Sequence, residues 1–206
     1  MKRTGVLLFN IVFICLIHFF TGTTNVFGGI VGSAHDFSSQ GWSGGKICET
    51  CHTPHNADTS VSDAPLWNHT VTISTFVMYD SPSLSVQPES QPQGVTKLCL
   101  SCHDGTVALD SFGGNFGASY ISGAANLTPD LSNDHPVSIR WEHQNDSPPC
   151  SNCHFVHGEL FSSELPFFNG FVECATCHDV HNSGTLPKLL RKTLQGSEIC
   201  LYCHGK

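Results

Sequence analysis

Ten of the eleven cysteines fall into one arrangement, two thiols three positions apart with a histidine directly behind the second. It occurs at Cys48, Cys51 and His52; at Cys99, Cys102 and His103; at Cys150, Cys153 and His154; at Cys174, Cys177 and His178; and at Cys200, Cys203 and His204. C-x-x-C-H is the pattern of covalent c-type haem attachment. On a helical turn, residues i, i+3 and i+4 share one face, so two thiols can bond the two vinyl groups of a haem while the next imidazole meets its iron. Structural zinc and redox dithiols also use C-x-x-C. Neither requires a histidine after every second cysteine, and here all five copies have one. The chain is therefore expected to carry five covalently attached haem c groups, with the ten cysteines as anchors and the five histidines as proximal iron ligands.

Five irons with two axial positions each need five further ligands. Outside the motifs and the N-terminal apolar run, the candidates are His55, His135, His69, His35, His181, His157 and His143, in falling order of preference. His55, His157 and His181 each stand three residues after a motif histidine. At that spacing two imidazoles project from one turn and cannot reach one iron from opposite sides, so the second must serve another haem. His135 lies in a turn closed by Pro136, and the ring of His69 is held between an aromatic residue and a β-branched run. Whether His157 or His181 is the fifth distal ligand stays open at this level. His143, in a polar run, is the least favoured. Met78 is the one methionine beyond the leader and reads as packing. An iron with two imidazoles is saturated and passes single electrons, whereas an open position can bind and transform a small molecule. The histidine surplus points to bis-histidine haems, low potentials and no catalytic residue.

The elements that position these groups are expected to be few. Residues 1–28 have the layout of a secretory signal, with Lys2 and Arg3 before an apolar run, Val6 to Phe20, and small residues near Gly28. That run is too short to serve as a permanent membrane anchor, and Cys15 lies inside it. Residues 29–206 then form a single domain of 178 residues, about 36 per haem, so the macrocycles must replace much of the core. Such a chain should be unfolded without its haems, as small metal domains are without metal. Residues 29–47 read as an extended Gly- and Ser-rich arm, Thr70 to Tyr79 as a short strand, and residues 104–141 as loop with one short strand or hairpin. Leu186 to Leu194 reads as the last helix, stopped by Gly196. The fold class is thus mostly irregular coil with a few short helices and short strands, organised around stacked haems.

Charge narrows the partners. Losing Lys2 and Arg3 with the leader takes the formal charge from −8 to −10. A nucleic-acid partner is excluded by that balance, while basic redox proteins and small cationic or strongly oxidising acceptors fit it. Export agrees with the haem reading, because c-type haem is attached outside the cytoplasm.

Several runs, ICETCHTPHNA, APLWNHT, KLCLSCHDGTVALDSFGG, LSNDHP, VECATCHDVHN and GSEICLYCHGK, resemble the OmcE-type multihaem cytochromes of metal-reducing bacteria. The resemblance extends from His35 to Lys206. It implies an extracellular filament of stacked haems, a mostly coil polypeptide, and a histidine of one subunit completing a haem of its neighbour. His35 falls at that family's N-terminal histidine and is the expected crossing ligand in a homopolymer. The chain departs from the pattern in carrying five motifs rather than four, with the copy at Cys150 to His154 as the extra one. The readings in competition are an exported electron carrier that polymerises on the cell surface, a soluble periplasmic shuttle, and a multihaem reductase with one open haem.

Overall fold

The computed structural model describes residues 29–62, 64–84, 86–141, 165–181 and 186–204. The third motif, Cys150, Cys153 and His154, lies outside them, as do His143, His157 and residues 1–28. Regular structure is sparse. Among the described residues, three α-helices, α1 (Gly94–His103), α2 (Cys174–Cys177) and α3 (Glu198–Leu201), join two short strands, β1 (Ile139–Arg140) and β2 (Phe171–Val172), and five 3-10 turns. The expected mostly irregular fold is what is observed.

Every described motif is a helical turn. The His52, His178 and His204 amides donate to the carbonyls of Cys48, Cys174 and Cys200 at 2.8, 3.0 and 2.8 Å, and the second motif closes α1. These bonds bring each histidine onto the face of its thiols. For α2, Glu173 and Thr176 form a reciprocal capping box, which satisfies amides that a one-turn helix leaves without partners.

Among the described residues the buried apolar side chains fall into three clusters. Val61, Trp67 and Leu98 form one buried cluster with Cys51 packed on it. Phe76, Leu100 and Leu131 form a second, and Leu165, Leu190 and Ile199 a third with Cys177 at its edge. Between them runs a buried polar layer that includes His69, Thr72, Thr96, Ser101, Asp104, Ser138 and Glu173. It is well bonded. Thr72 donates its hydroxyl to Asp104 at 2.5 Å and its amide to Ser101 Oγ at 3.0 Å, and the Thr106 amide adds a 2.8 Å bond to Asp104. Buried polar groups persist only when paired in this way.

Two expected elements differ. Thr70 to Tyr79 is extended but builds no ladder among the described residues, with a single bridge from Val77 to Asp130 and another, His69 to Phe112, just before it. Midway, the Gln91 carboxamide takes the place of a neighbouring strand, accepting from the Phe76 amide at 2.8 Å and donating to its carbonyl at 3.0 Å. Leu186 to Leu194 is not a helix. Its only helical piece is the 3-10 turn Pro187–Leu189, broken by left-handed Lys188 (φ 58°) and Leu189 (φ 57°), and Leu190 then bridges to His178. The gain from burying Leu190 against the fourth motif outweighs the few tenths of a kcal/mol per residue that set helix propensity.

A strand does occur at the end of the 104–141 region. β1 pairs antiparallel with β2, Ile139 opposite Val172 and Arg140 opposite Phe171. Before β2 the chain turns tightly at Phe168 to Phe171, with both central residues, Asn169 (φ 52°) and Gly170 (φ 79°), left-handed. Asn-Gly is the pair such a turn favours.

Candidate haem-binding sites

The motif histidines are aimed by backbone. Nδ1 of His52 lies 2.6 Å from the Pro65 carbonyl, that of His103 2.8 Å from Ala125 O, and that of His178 2.8 Å from Lys188 O. A carbonyl only accepts, so Nδ1 must carry the proton, and the lone pair is left on Nε2. A second partner that fixes tautomer and ring orientation in this way is typical of metal-binding histidines. His135 has the same arrangement, with Nδ1 2.9 Å from its neighbour's carbonyl, Pro136 O.

Three of the four described motif histidines face a second imidazole. The centroids of His103 and His35 are 5.9 Å apart, those of His52 and His181 5.9 Å, and those of His204 and His135 6.3 Å. Two imidazoles bound to one metal from opposite sides, each nitrogen about 2 Å from it, place their ring centres about 6 Å apart. Ordinary aromatic pairs also meet at about 4.5–7 Å, and what sets these apart is that each contains the histidine of a C-x-x-C-H turn. The donor set therefore fits a haem iron at the first, second and fifth motifs: His52 with His181, His103 with His35, and His204 with His135.

His178 is exposed and, among the described residues, no ring stands opposite it; the same is true of exposed His55. His69 is placed differently from all of these. It is fully buried, its Nδ1 and Nε2 each 3.0 Å from a carbonyl, of Thr70 and Ala108, and the motif atom beside it is Cys102 Sγ at 3.5 Å. As placed, it offers no free nitrogen.

Electrostatics separates these sites from dithiol chemistry. Burial pushes the Cys51 thiol up to about 11, Cys102 up to about 12 and Cys203 up to about 11. A redox dithiol needs a lowered thiol pKa, so these pairs are poor nucleophiles. Cys99 and Cys174 are an exception to the uniform rise. A hydrogen bond between the two pushes Cys99 up and Cys174 down, which places thiols of the second and fourth motifs side by side. Among the described residues no three His, Cys, Asp or Glu side chains converge on one point. His35 is held near 4, first by desolvation and then by the charges of His103, His178 and His181. Its imidazole is thus neutral at physiological pH and its lone pair is available.

The carbonyls of Pro65, Ala125 and Lys188 have no side-chain signature and were not legible in the sequence. Pro65 O could be inferred only as part of the run that follows the first motif.

A family model described as the doubled CXXCH motif matches residues 165–206, the stretch holding the fourth and fifth copies. No curated protein matches the chain significantly.

Proposed function

We propose that this chain, whose doubled motif supports a multihaem c-type cytochrome, is an exported five-haem electron carrier that polymerises through its haem ends into a surface filament. The observation that carries the electron-transfer reading is the set of three facing imidazole pairs, 5.9 to 6.3 Å between centroids, each built on a motif histidine. When bound, a haem with two imidazoles supplies one-electron redox chemistry at an iron with no free position. The polypeptide does the positioning. Cysteine pairs fix each macrocycle to a helical turn, the carbonyls of Pro65, Ala125 and Lys188 orient the imidazoles, and burial keeps His35 unprotonated.

Export is supported by the leader-like residues 1–28, and assembly by the resemblance of the motif-bearing runs to filament-forming cytochromes. In a polymer the exposed His178 is where an imidazole from a second copy completes a site. His35 meets His103 within its own chain, and an arm exchanged between copies makes the same contact. No described helix is long and apolar enough to cross a membrane. The acceptor would be a redox protein or an oxidant outside the cell.

The experiment is expression in a host that attaches c-type haem, followed by intact mass and by electron paramagnetic resonance (EPR) of the oxidised protein. Five haem additions with low-spin signals only support the carrier. A high-spin haem in the assembled protein favours a reductase instead. Electron microscopy and light scattering over a concentration series separate filament from shuttle, the latter staying monodisperse throughout.

A further inference from the structure

The three imidazoles that face a motif histidine are not equally supported. His135 places Nδ1 against a main-chain carbonyl, as His52, His103 and His178 do. His181 is exposed, so water can accept its ring proton. His35 has neither support. Its Nδ1 is buried and meets no acceptor among the described residues, so with the Nε2 lone pair given to iron the ring proton is stranded. A buried donor without a partner is costly, and losing the group behind a ligating histidine typically weakens metal affinity roughly 10- to 100-fold. His35 is therefore the weakest of the three distal donors.

The segment that carries it is bonded mainly to itself. Among the described residues, the hydrogen bonds and ion pair of residues 30–46 stay within 30–49: Asp36 accepts from the amides of Gly32 and Ser38, the Ser43 hydroxyl donates to the Gln40 carbonyl, and Lys46 pairs with Glu49. The body is met through rings, Trp42 against Phe112 at 6.0 Å and His35 against His103 at 5.9 Å, and through the Gly29 amide, which donates to the His181 carbonyl at 2.8 Å. Gly44 (φ 60°) and Gly45 (φ 77°) are left-handed with open space around them, and such positions absorb the backbone change of a hinge. Between its ends the arm can lift from His103 at the cost of ring contacts.

What could enter is set by the surroundings. Phe37 stands edge-on to His35 at 6.3 Å and lies 5.3 Å from Trp42. A ligand replacing the imidazole meets aromatic surface, where burying an ion costs far more than burying a neutral molecule, and the formal charge of −8 repels anions.

We propose that the second haem site is gated: His35 leaves the reduced iron and a small neutral diatomic molecule, such as carbon monoxide or nitric oxide, takes its place opposite His103. This rests on the proposed haem attachment. The exchange breaks one iron–nitrogen bond and makes one bond from iron to the incoming molecule; the ring keeps its Nδ1 proton, and no electron or proton is transferred. The carrier's own electron traffic supplies the reduced iron. Such molecules favour that state, so occupancy holds one haem reduced and slows passage through it.

The experiment mixes the haem-loaded chain, reduced with dithionite, with carbon monoxide in a stopped-flow spectrometer, using wild type, His35→Ala and Trp42→Ala. A wild type that carries fewer than five haems by mass defeats the haem reading and not the gate. With five, wild type should show a binding phase of one haem whose rate reaches a plateau as carbon monoxide rises, because departure of His35 limits it. In His35→Ala that phase should lose its plateau and rise linearly with carbon monoxide, the total bound per chain being unchanged. In Trp42→Ala, where the arm has lost its ring contact with Phe112, the plateau should remain at a higher rate. The proposal is overturned if wild type has no phase with a plateau, if His35→Ala binds one carbon monoxide more per chain than wild type, or if Trp42→Ala leaves the plateau rate unaltered. Should His35→Ala fail to take up five haems, the wild-type plateau and its rise in Trp42→Ala decide.

Discussion

Replacing His35 with alanine is the sharpest test of the paired-imidazole geometry. The structure puts His35 opposite His103 and opposite no other motif histidine, so one iron of five should lose its sixth ligand. One fifth of the oxidised haem should then move from low spin to high spin, with haem content by mass unchanged. The ring removed is partly buried beside Phe37, so the variant leaves a hole of about imidazole size next to the iron. A tethered ligand acts at an effective concentration in the mM range, so free imidazole at tens of mM, on the order of ten times that, should restore the low-spin signal. In the wild type, the ring's pKa near 4 comes first from desolvation and then from His103, His178 and His181. Only the neutral ring has a lone pair for iron, and bound iron competes with the proton for it, so ligation should persist as pH falls to about 4. Because the contact is made within one chain, the share of low-spin haem that the variant loses should not change on dilution. The reasoning fails if the five-haem variant shows no high-spin signal, or one that imidazole leaves unaltered.

Substituting His69 with alanine should cost about 3 kcal/mol in guanidinium unfolding of the haem-loaded protein, the loss of a buried ring and its carbonyl bond, with no new high-spin haem; a high-spin signal would make His69 an iron ligand. Glu173→Gln should stabilise the protein at neutral pH. Burial raises the Glu173 carboxyl above its ordinary value, so the folded state holds a proton that the unfolded state has already lost, and stability falls as pH rises through the folded value. The glutamine variant lacks that loss, so its thermal midpoint should exceed the wild type's at pH 7 and converge with it near pH 4; a gain that does not depend on pH refutes the assignment. Chain made in a host that cannot attach haem should give a far-ultraviolet spectrum of unfolded polypeptide, and a cooperative thermal transition in that material would contradict the dependence of the fold on its cofactors.

The motifs and the scarcity of regular structure were legible because both follow from local rules: five repeats of one pattern, and a chain too short per haem to build its own core. The pairing of His181 with the first motif follows from its three-residue offset behind His178, which forbids a shared iron, although the spacing alone does not name the recipient. What stayed hidden depends on distant contacts. Lys188 and Leu189 sit in a run of good helix formers, yet they adopt left-handed angles because Leu190 is drawn to His178. Thr70 to Tyr79 has strand composition, but a glutamine side chain replaces the partner strand. The Asn169-Gly170 turn was legible in principle, being the favoured dipeptide for its geometry, and it leads into β2.

His178 and His181 stand three residues apart, the first on the fourth motif and the second opposite His52 of the first. A tripeptide can hold their Cα atoms no more than about 11 Å apart however far it is stretched. In the proposed haem-loaded chain, the gap between the haems of the first and fourth motifs is thus capped by covalent geometry rather than by soft side-chain contacts, which yield when a protein breathes. Tunnelling rates fall off steeply with distance, so this junction should keep its speed when heat, pressure or denaturant has begun to loosen the rest of the molecule.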